Sequence, residues 1–210
     1  MERLRNLGVI PVNRNVLYSL YGDLKRPDGK ISELERKGLI IRIRRNLYVV
    51  SQKVHHQEIS SELVGNHLYG PSYISFESAL SYHGLIPERV YSVMSACIGQ
   101  GKQYSTPLGK FEYIKVPVNY FPAGINQVII NNTFAFLIAS PEKALCDKII
   151  NFRNVRIQSV KSMREYLEDD LRFEMSALDS FNTEIIEFCI RTGKKRTELI
   201  QLLKLLKDGK

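Results

Sequence analysis

Apolar residues first recur at helical spacing between Asn13 and Leu24, where Val16, Leu17, Leu20 and Leu24 fall on one stripe. Asn13 is placed to cap this helix, and Gly22 stands near its end. Pro27 opens a second helix at a tolerated first-turn position, and Lys37-Gly38 closes it. Arg26, just before it, is not a capping residue. Ile31 and Leu34 face inward with Leu39, which leaves Lys30, Ser32, Glu33, Arg36 and Lys37 outward. The pattern then changes from helical to strand periodicity. Leu39-Ile-Ile-Arg-Ile-Arg-Arg-Asn-Leu-Tyr-Val-Val50 alternates apolar and basic residues, turns at Arg45-Asn46 and runs on as a strand. Asn46 tolerates the left-handed backbone of a tight turn.

Beyond a polar link at Ser51–His56, the spacing predicts a helix from Gln57 to Leu68 that buries Ile59, Leu63 and Val64. Ser75 is placed to cap a short helix with Glu77 in its first turn and Gly84 at its close. Strand tracts follow at Tyr91–Ile98, at Gly109–Val116, and at Gln127–Ile130 against Thr133–Ile138. Asn131-Asn132 suits the turn of that last pair. Ser140-Pro141-Glu142 is a helix start: a cap, a proline and a first-turn acid. From Gln158 onward the periodicity is helical, and Leu199, Leu202, Leu203 and Leu206 form an apolar stripe. There is no internal repeat and no low-complexity segment.

Together these elements predict an α+β chain. A winged helix-turn-helix over residues 1–53 precedes a mixed α/β domain with a helical C-terminal region, 54–210, whose tail begins at about residue 156. The 210 residues leave room for two domains, of which the first is too small to be robust without the second.

Charge sharpens this picture. Residues 1–53 hold twelve Lys and Arg against five Asp and Glu, so +7 of the net +8 lies in the first quarter of the chain. Cationic side chains gathered on one small module displace counterions from phosphate, which points to nucleic acid. Arg42, Arg44, Arg45 and Lys25 suit phosphate contacts, with Asn46 at the tip of the wing. Lys30, Arg36 and Lys37 are the expected readers of the groove, since Arg takes guanine in a bidentate grip.

Other chemistries find little support. No apolar run reaches the length of a bilayer span, and the first residues lack a secretory signal pattern, which predicts a cytoplasmic protein without a membrane partner. Cys97, Cys146 and Cys189 are odd in number and set among apolar residues, so they read as reduced and buried. His55, His56, His67 and His83 have no metal-ligand spacing, and neither metal nor cofactor is expected. Glu77 and His83, six apart, point about 240° from each other around a helix, and Glu142 and Asp147, five apart, about 140°. Neither pair converges as an acid–base couple would. Gly99-Gln-Gly-Lys102 lacks the ending of a phosphate loop and reads as a hairpin loop, although Lys102 and Tyr104 are placed to touch a nucleic-acid backbone. Glu112-Tyr-Ile-Lys115 is one residue too long for a nuclease Glu-x-Lys pair. The basic run Lys194-Lys195-Arg196 fits a solvated turn, a second backbone contact or part of another working surface.

Four stretches carry a resemblance: Gly38–Val49; Pro71-Ser-Tyr-Ile-Ser-Phe-Glu-Ser-Ala-Leu-Ser-Tyr-His-Gly-Leu-Ile-Pro87; Gly109-Lys-Phe-Glu-Tyr113; and Ala139-Ser-Pro-Glu-Lys-Ala-Leu-Cys-Asp147. In this order the chain resembles the AbiEi-type antitoxins of bacterial abortive-infection (type IV) toxin–antitoxin systems. Asn46 departs from the Gly usual in that family's wing turn, and no motif covers the chain beyond about residue 155. The resemblance implies a non-enzymatic transcriptional autorepressor whose winged helix binds operator DNA with inverted repeats. It also implies an antitoxin that neutralises a nucleotidyltransferase-like toxin without a stable direct complex. The alternative is an orphan winged-helix transcription factor whose second domain senses a ligand or partner.

Overall fold

The structure, a computed structural model, describes residues 2–88, 90–152 and 156–208. The boundary expected near residue 155 lies outside them. The fold is α+β. It opens with α1 (Glu2–Arg5), β1 (Val12–Asn13), α2 (Arg14–Leu20), α3 (Pro27–Arg36), β2 (Ile40–Arg44) and β3 (Leu47–Val50). The three strands form an antiparallel sheet in the order β1-β3-β2. Asn13 caps α2 by accepting from the Val16 amide at 3.1 Å. The helix is shorter than its apolar stripe suggested: Tyr21 is its C-cap, the chain turns at once, and Leu24 lies beyond the helix, 45% exposed. α3 follows expectation, with Pro27 in its first turn and no side-chain cap from Arg26. At its end Gly38 adopts φ 64°, and the Leu39 amide reaches back to the Leu34 carbonyl at 3.0 Å, a glycine-terminated helix end.

The link at 51–56 is partly helical. Ser51 caps α4 (Gln52–His55), which buries Val54 against Leu4, Leu17, Ile31, Leu34, Tyr48 and Val50. The next helix, α5 (Ser61–Leu68), starts four residues later than the periodicity implied, because Ser60 captures the Leu63 amide at 3.1 Å. Ile59 therefore precedes the helix and is half-buried.

A six-stranded mixed sheet follows, built from β4 (Ser72–Ile74), β5 (Ser92–Cys97), β6 (Lys102–Thr106), β7 (Gly109–Lys115), β8 (Ile125–Ile130) and β9 (Phe134–Ala139), in the order β6-β7-β5-β4-β9-β8. β4 and β6 had no strand signal. β4 is only three residues long and sits centrally, buried on both faces. β6 is polar, and Lys102, expected in a loop, begins it. The turn between β8 and β9 holds Asn131 and Asn132 at φ 48° and 54°, the left-handed pair expected there.

α6 (Phe76–Tyr82) leaves β4, and α7 (Pro141–Asn151) leaves β9 with Ser140 capping the Lys143 amide at 3.3 Å. The chain ends in α8 (Val160–Glu165), a π-helical turn (Tyr166–Asp170), a 3₁₀ turn (Met175–Ser180), α9 (Thr183–Thr192) and α10 (Arg196–Asp208). These pack against α6, α7 and the sheet around Phe76, Leu145, Leu167, Ile186 and Leu202. Among the described residues no helix is long and apolar enough to cross a membrane.

One feature of the packing was not anticipated. β3 is buried along its whole length because both its faces are covered. Tyr48 and Val50 face the helices of the first unit, whereas Leu47 and Val49, with Ile43, pack on Val64, Leu68, Phe111 and Tyr113 of the second. The basic hairpin is thus seated on the larger sheet by its apolar side.

Candidate nucleic-acid interface

The basic surface is built around the hairpin turn. A register shift between Arg42 and Arg44 breaks the β2–β3 ladder, and Asn46 closes the turn at φ 64°. The Arg14 amide donates to the Asn46 carbonyl at 3.2 Å, which ties the first turn of α2 to the hairpin tip. Arg14, Arg42, Arg44, Arg45 and Asn46 then line an open groove of about 520 Å³, floored by Ile43 and Tyr48. Arg14, absent from the residues the sequence singled out, is held there by Asp28 and lies over the Tyr18 ring at 5.3 Å. The Tyr18 hydroxyl also donates to Asp28, and these bonds hold that carboxyl below its ordinary value. Arg14 Nε is shielded from solvent and has no hydrogen-bond partner among the described residues. The signal that could have found Arg14 is its position immediately after the cap Asn13, in the first turn of the helix that abuts the hairpin.

The expected residues fall into two groups. Arg42, Arg44, Arg45 and Asn46 converge on the groove and are exposed. Arg42 Nε reaches Glu35 at 3.4 Å, whereas Arg44 and Arg45 have no carboxylate partner among the described residues. Arg44 lies near enough to Tyr113 for its charge to act on that phenol: burial pushes the hydroxyl up, and the guanidinium partly offsets the rise. The residues on α3 are more constrained. Glu33 takes Lys37 at 2.5 Å and Lys30 at 3.0 Å, and the two lysines hold its carboxyl down at about 2. Arg36 stands exposed on the same helix without a salt-bridge partner among the described residues. With Asp28, Glu33 and Glu35 against Lys30, Arg36 and the C-cap Lys37, α3 together with its cap is electrically neutral. Four of the seven excess charges, those of Arg14, Arg42, Arg44 and Arg45, therefore sit on the hairpin and beside it. Lys25 is exposed in the turn between α2 and α3.

A second charged constellation is sealed inside the larger unit. The Asp147 carboxylate accepts from Ser75 at 2.5 Å, Tyr120 at 2.6 Å and Tyr73 at 2.9 Å, and Lys143 Nζ stands 3.4 Å away. Lys143 donates to the Tyr120 carbonyl at 2.9 Å and lies 3.1 Å from the Tyr120 ring centroid. All five residues are fully buried. Burial and the nearby carboxylate push the Tyr73 and Tyr120 hydroxyls far up, which keeps them as donors. Ser75, expected to cap α6, makes no side-chain cap; its hydroxyl is turned to Asp147, to which it donates. With both carboxylate oxygens hydrogen-bonded and all five residues enclosed, this cluster is a structural clamp joining β4, the turn before β8, and α7.

The remaining candidates scatter. Glu77 pairs with Lys148, His83 Nε2 contacts the Ala139 carbonyl at 2.8 Å, and Glu142 accepts the Asn182 amide at 2.8 Å. Glu112 and Lys115, three apart on β7, lie on opposite faces of the sheet. Lys195 donates to the Phe152 carbonyl, while Lys194 and Arg196 are exposed. Cys97, Cys146 and Cys189 are free and buried. Among the described residues no three His, Cys, Asp or Glu side chains are grouped to hold a metal ion. Neither any protein-family model nor any curated protein matches this chain.

Proposed function

We propose that residues 1–53 are a winged helix-turn-helix that binds double-stranded DNA, and that the protein is a non-enzymatic transcriptional autorepressor and antitoxin of the AbiEi kind. The observation that carries the reading is the groove at the hairpin turn. Four arginines meet there beside the first turn of α2, next to a helix, α3, that leads directly into the hairpin. In this reading α3 lies in the major groove with Arg36 toward base edges, and Arg14, Arg42, Arg44 and Arg45 hold the phosphates. Lys30 and Lys37 exchange their internal partner Glu33 for phosphate, a small cost for exposed ion pairs.

The antitoxin part rests on the resemblance. Two of its motifs, residues 71–87 and 139–147, contribute Tyr73, Ser75, Lys143 and Asp147 to the buried clamp, which supports a part for them in the fold of the second unit. The partner is a nucleotidyltransferase-like toxin that is neutralised without a stable complex, in the cytoplasm. The test is fluorescence anisotropy on DNA from upstream of the protein's own gene against random DNA, across a salt series. Binding that falls steeply with salt supports the reading, since each phosphate contact releases counterion; salt-independent binding or none overturns it.

A second reading, an orphan regulator that senses a ligand, is favoured by one observation. A groove of about 580 Å³ lies between the Ser60-capped start of α5 and the β8–β9 hairpin, lined by Glu58, Glu62, Tyr82, Phe134 and Phe136. Rescue of growth when the toxin is induced decides for the antitoxin; repression without rescue decides for the sensor.

A further inference from the structure

The two edges of the six-stranded sheet are unlike. β6 carries Lys102, and its neighbour β7 supplies Phe111 and Tyr113 to the seat of the basic hairpin. β8, Ile-Asn-Gln-Val-Ile-Ile, forms the opposite edge and has neither charge nor proline. It lies within residues 116–141, a run of 26 residues without one charged side chain in a chain that has 52 among 210. Exposed sheet edges are ordinarily protected by lysine, proline or a covering element. The β8–β9 register places Gln127, Ile129, Ala135 and Leu137 on one face, where Ile129 is 61% and Leu137 43% exposed.

We propose that β8 is a self-association edge: two copies pair their β8 strands antiparallel, and Ile129 and Leu137 form an apolar patch beside the joint. Antiparallel pairing of a strand with itself is isologous, so both partners bury the same uncharged residues and no like charges are opposed. Electrostatics selects a second copy and selects this edge. The chain carries a net +8, and +7 of it lies in the unit seated at the β6–β7 end. Joined at β6, two copies would bring those units together. Joined at β8, the two β6 strands stand about 50 Å apart at the usual strand spacing, several Debye lengths at physiological salt. A charged partner gains nothing from a neutral strand, whereas a second copy of a basic chain can approach closely only where charge is missing.

The test is sedimentation velocity on the full chain over a concentration series, without DNA, so that it is independent of the function proposed above. The wild type is expected to reach twice the 24.2 kDa chain mass. The double variant Gln127→Lys/Ile129→Lys, at two exposed or largely exposed positions, is expected to remain at the single-chain mass with an unchanged circular dichroism spectrum. Ser105→Lys on β6 is expected to leave the dimer intact. Hydrogen exchange on the wild type gives a readout free of mutation: the amides of Asn126–Ile130 gain protection as concentration rises. A wild type that stays at single-chain mass, a dimer that survives both lysines, one lost to Ser105→Lys, or β8 amides indifferent to concentration would each overturn the proposal.

Discussion

The hairpin groove and the Asp147 clamp are both gatherings of charged and phenolic side chains, yet they differ in what surrounds them. In the groove, Arg14, Arg42, Arg44 and Arg45 face water, and their partners Asp28 and Glu35 are at the surface. In the clamp, Lys143 and Asp147 are wholly enclosed, with three hydroxyl donors fixed on the carboxylate and the Tyr120 carbonyl accepting from the ammonium. Exposed ion pairs are worth little and are readily exchanged, so the groove keeps its cations available to an incoming anion. A buried pair is costly to assemble and costlier to break, so the clamp is committed to holding elements together. The same residue types thus serve binding in one place and architecture in the other. The cluster of Ile43, Leu47, Val49, Phe111 and Tyr113 joins the regions, fixing the basic hairpin relative to the larger sheet.

The sharpest way to break this comparison is to cut the clamp. Asp147→Ala leaves Lys143 enclosed without its carboxylate, and a loss of about 3–5 kcal/mol is expected in urea unfolding. Lys143→Met/Asp147→Leu, which removes both charges, is expected to recover most of that loss. A single variant costing under about 1 kcal/mol would show that the clamp carries no more than a surface pair.

The groove is expected to answer in the opposite way. The triple variant Arg42→Ala/Arg44→Ala/Arg45→Ala should unfold within about 0.5 kcal/mol of the wild type, as surface substitutions do. Its DNA affinity should fall about equally on operator and random sequences, with the salt slope reduced by about 3. Expressed from an unrelated promoter, it should fail to repress yet still rescue cells from the toxin. Loss of rescue in a folded, abundant variant would show that the two activities share one surface.

A finer cut separates α3 from the hairpin. Arg36→Ala is expected to narrow the gap between operator and random DNA by about 1–3 kcal/mol, the cost of a lost bidentate base contact. Lys30→Ala and Lys37→Ala, whose ammonium groups share Glu33, should affect discrimination less. If a lysine variant loses more discrimination than Arg36→Ala, the base reader has been misassigned.

The smallest effect is one of pH. Glu33 is held at about 2 against an ordinary 4.5. Because the folded value is the lower, its stabilisation is complete above 4.5 and is lost as pH falls through about 2. Acid titration of unfolding should therefore be shallower for Glu33→Gln than for the wild type in that window alone, the two curves running parallel at neutral pH with the wild type the more stable.

What the chain revealed by itself was local. Asn13, Pro27, Gly38, Asn46, Asn131-Asn132 and Ser140-Pro141 each mark a turn or helix end, because a cap, a ring or a left-handed backbone acts within a few residues of its own position. The uneven charge was legible for the same reason, as a count along the sequence. Tertiary structure decided the rest. Ser75 bears the local signature of a cap, but a carboxylate 72 residues away in sequence takes its hydroxyl. Arg14 joins the groove only because the hairpin folds back onto α2. β4 and β6 are strands because neighbours pair with them, one too short and the other too polar to announce itself. Local signals act through backbone preference, which each residue carries with it. Burial, pairing and the sharing of a carboxylate depend on which distant groups arrive, and the fold determines that.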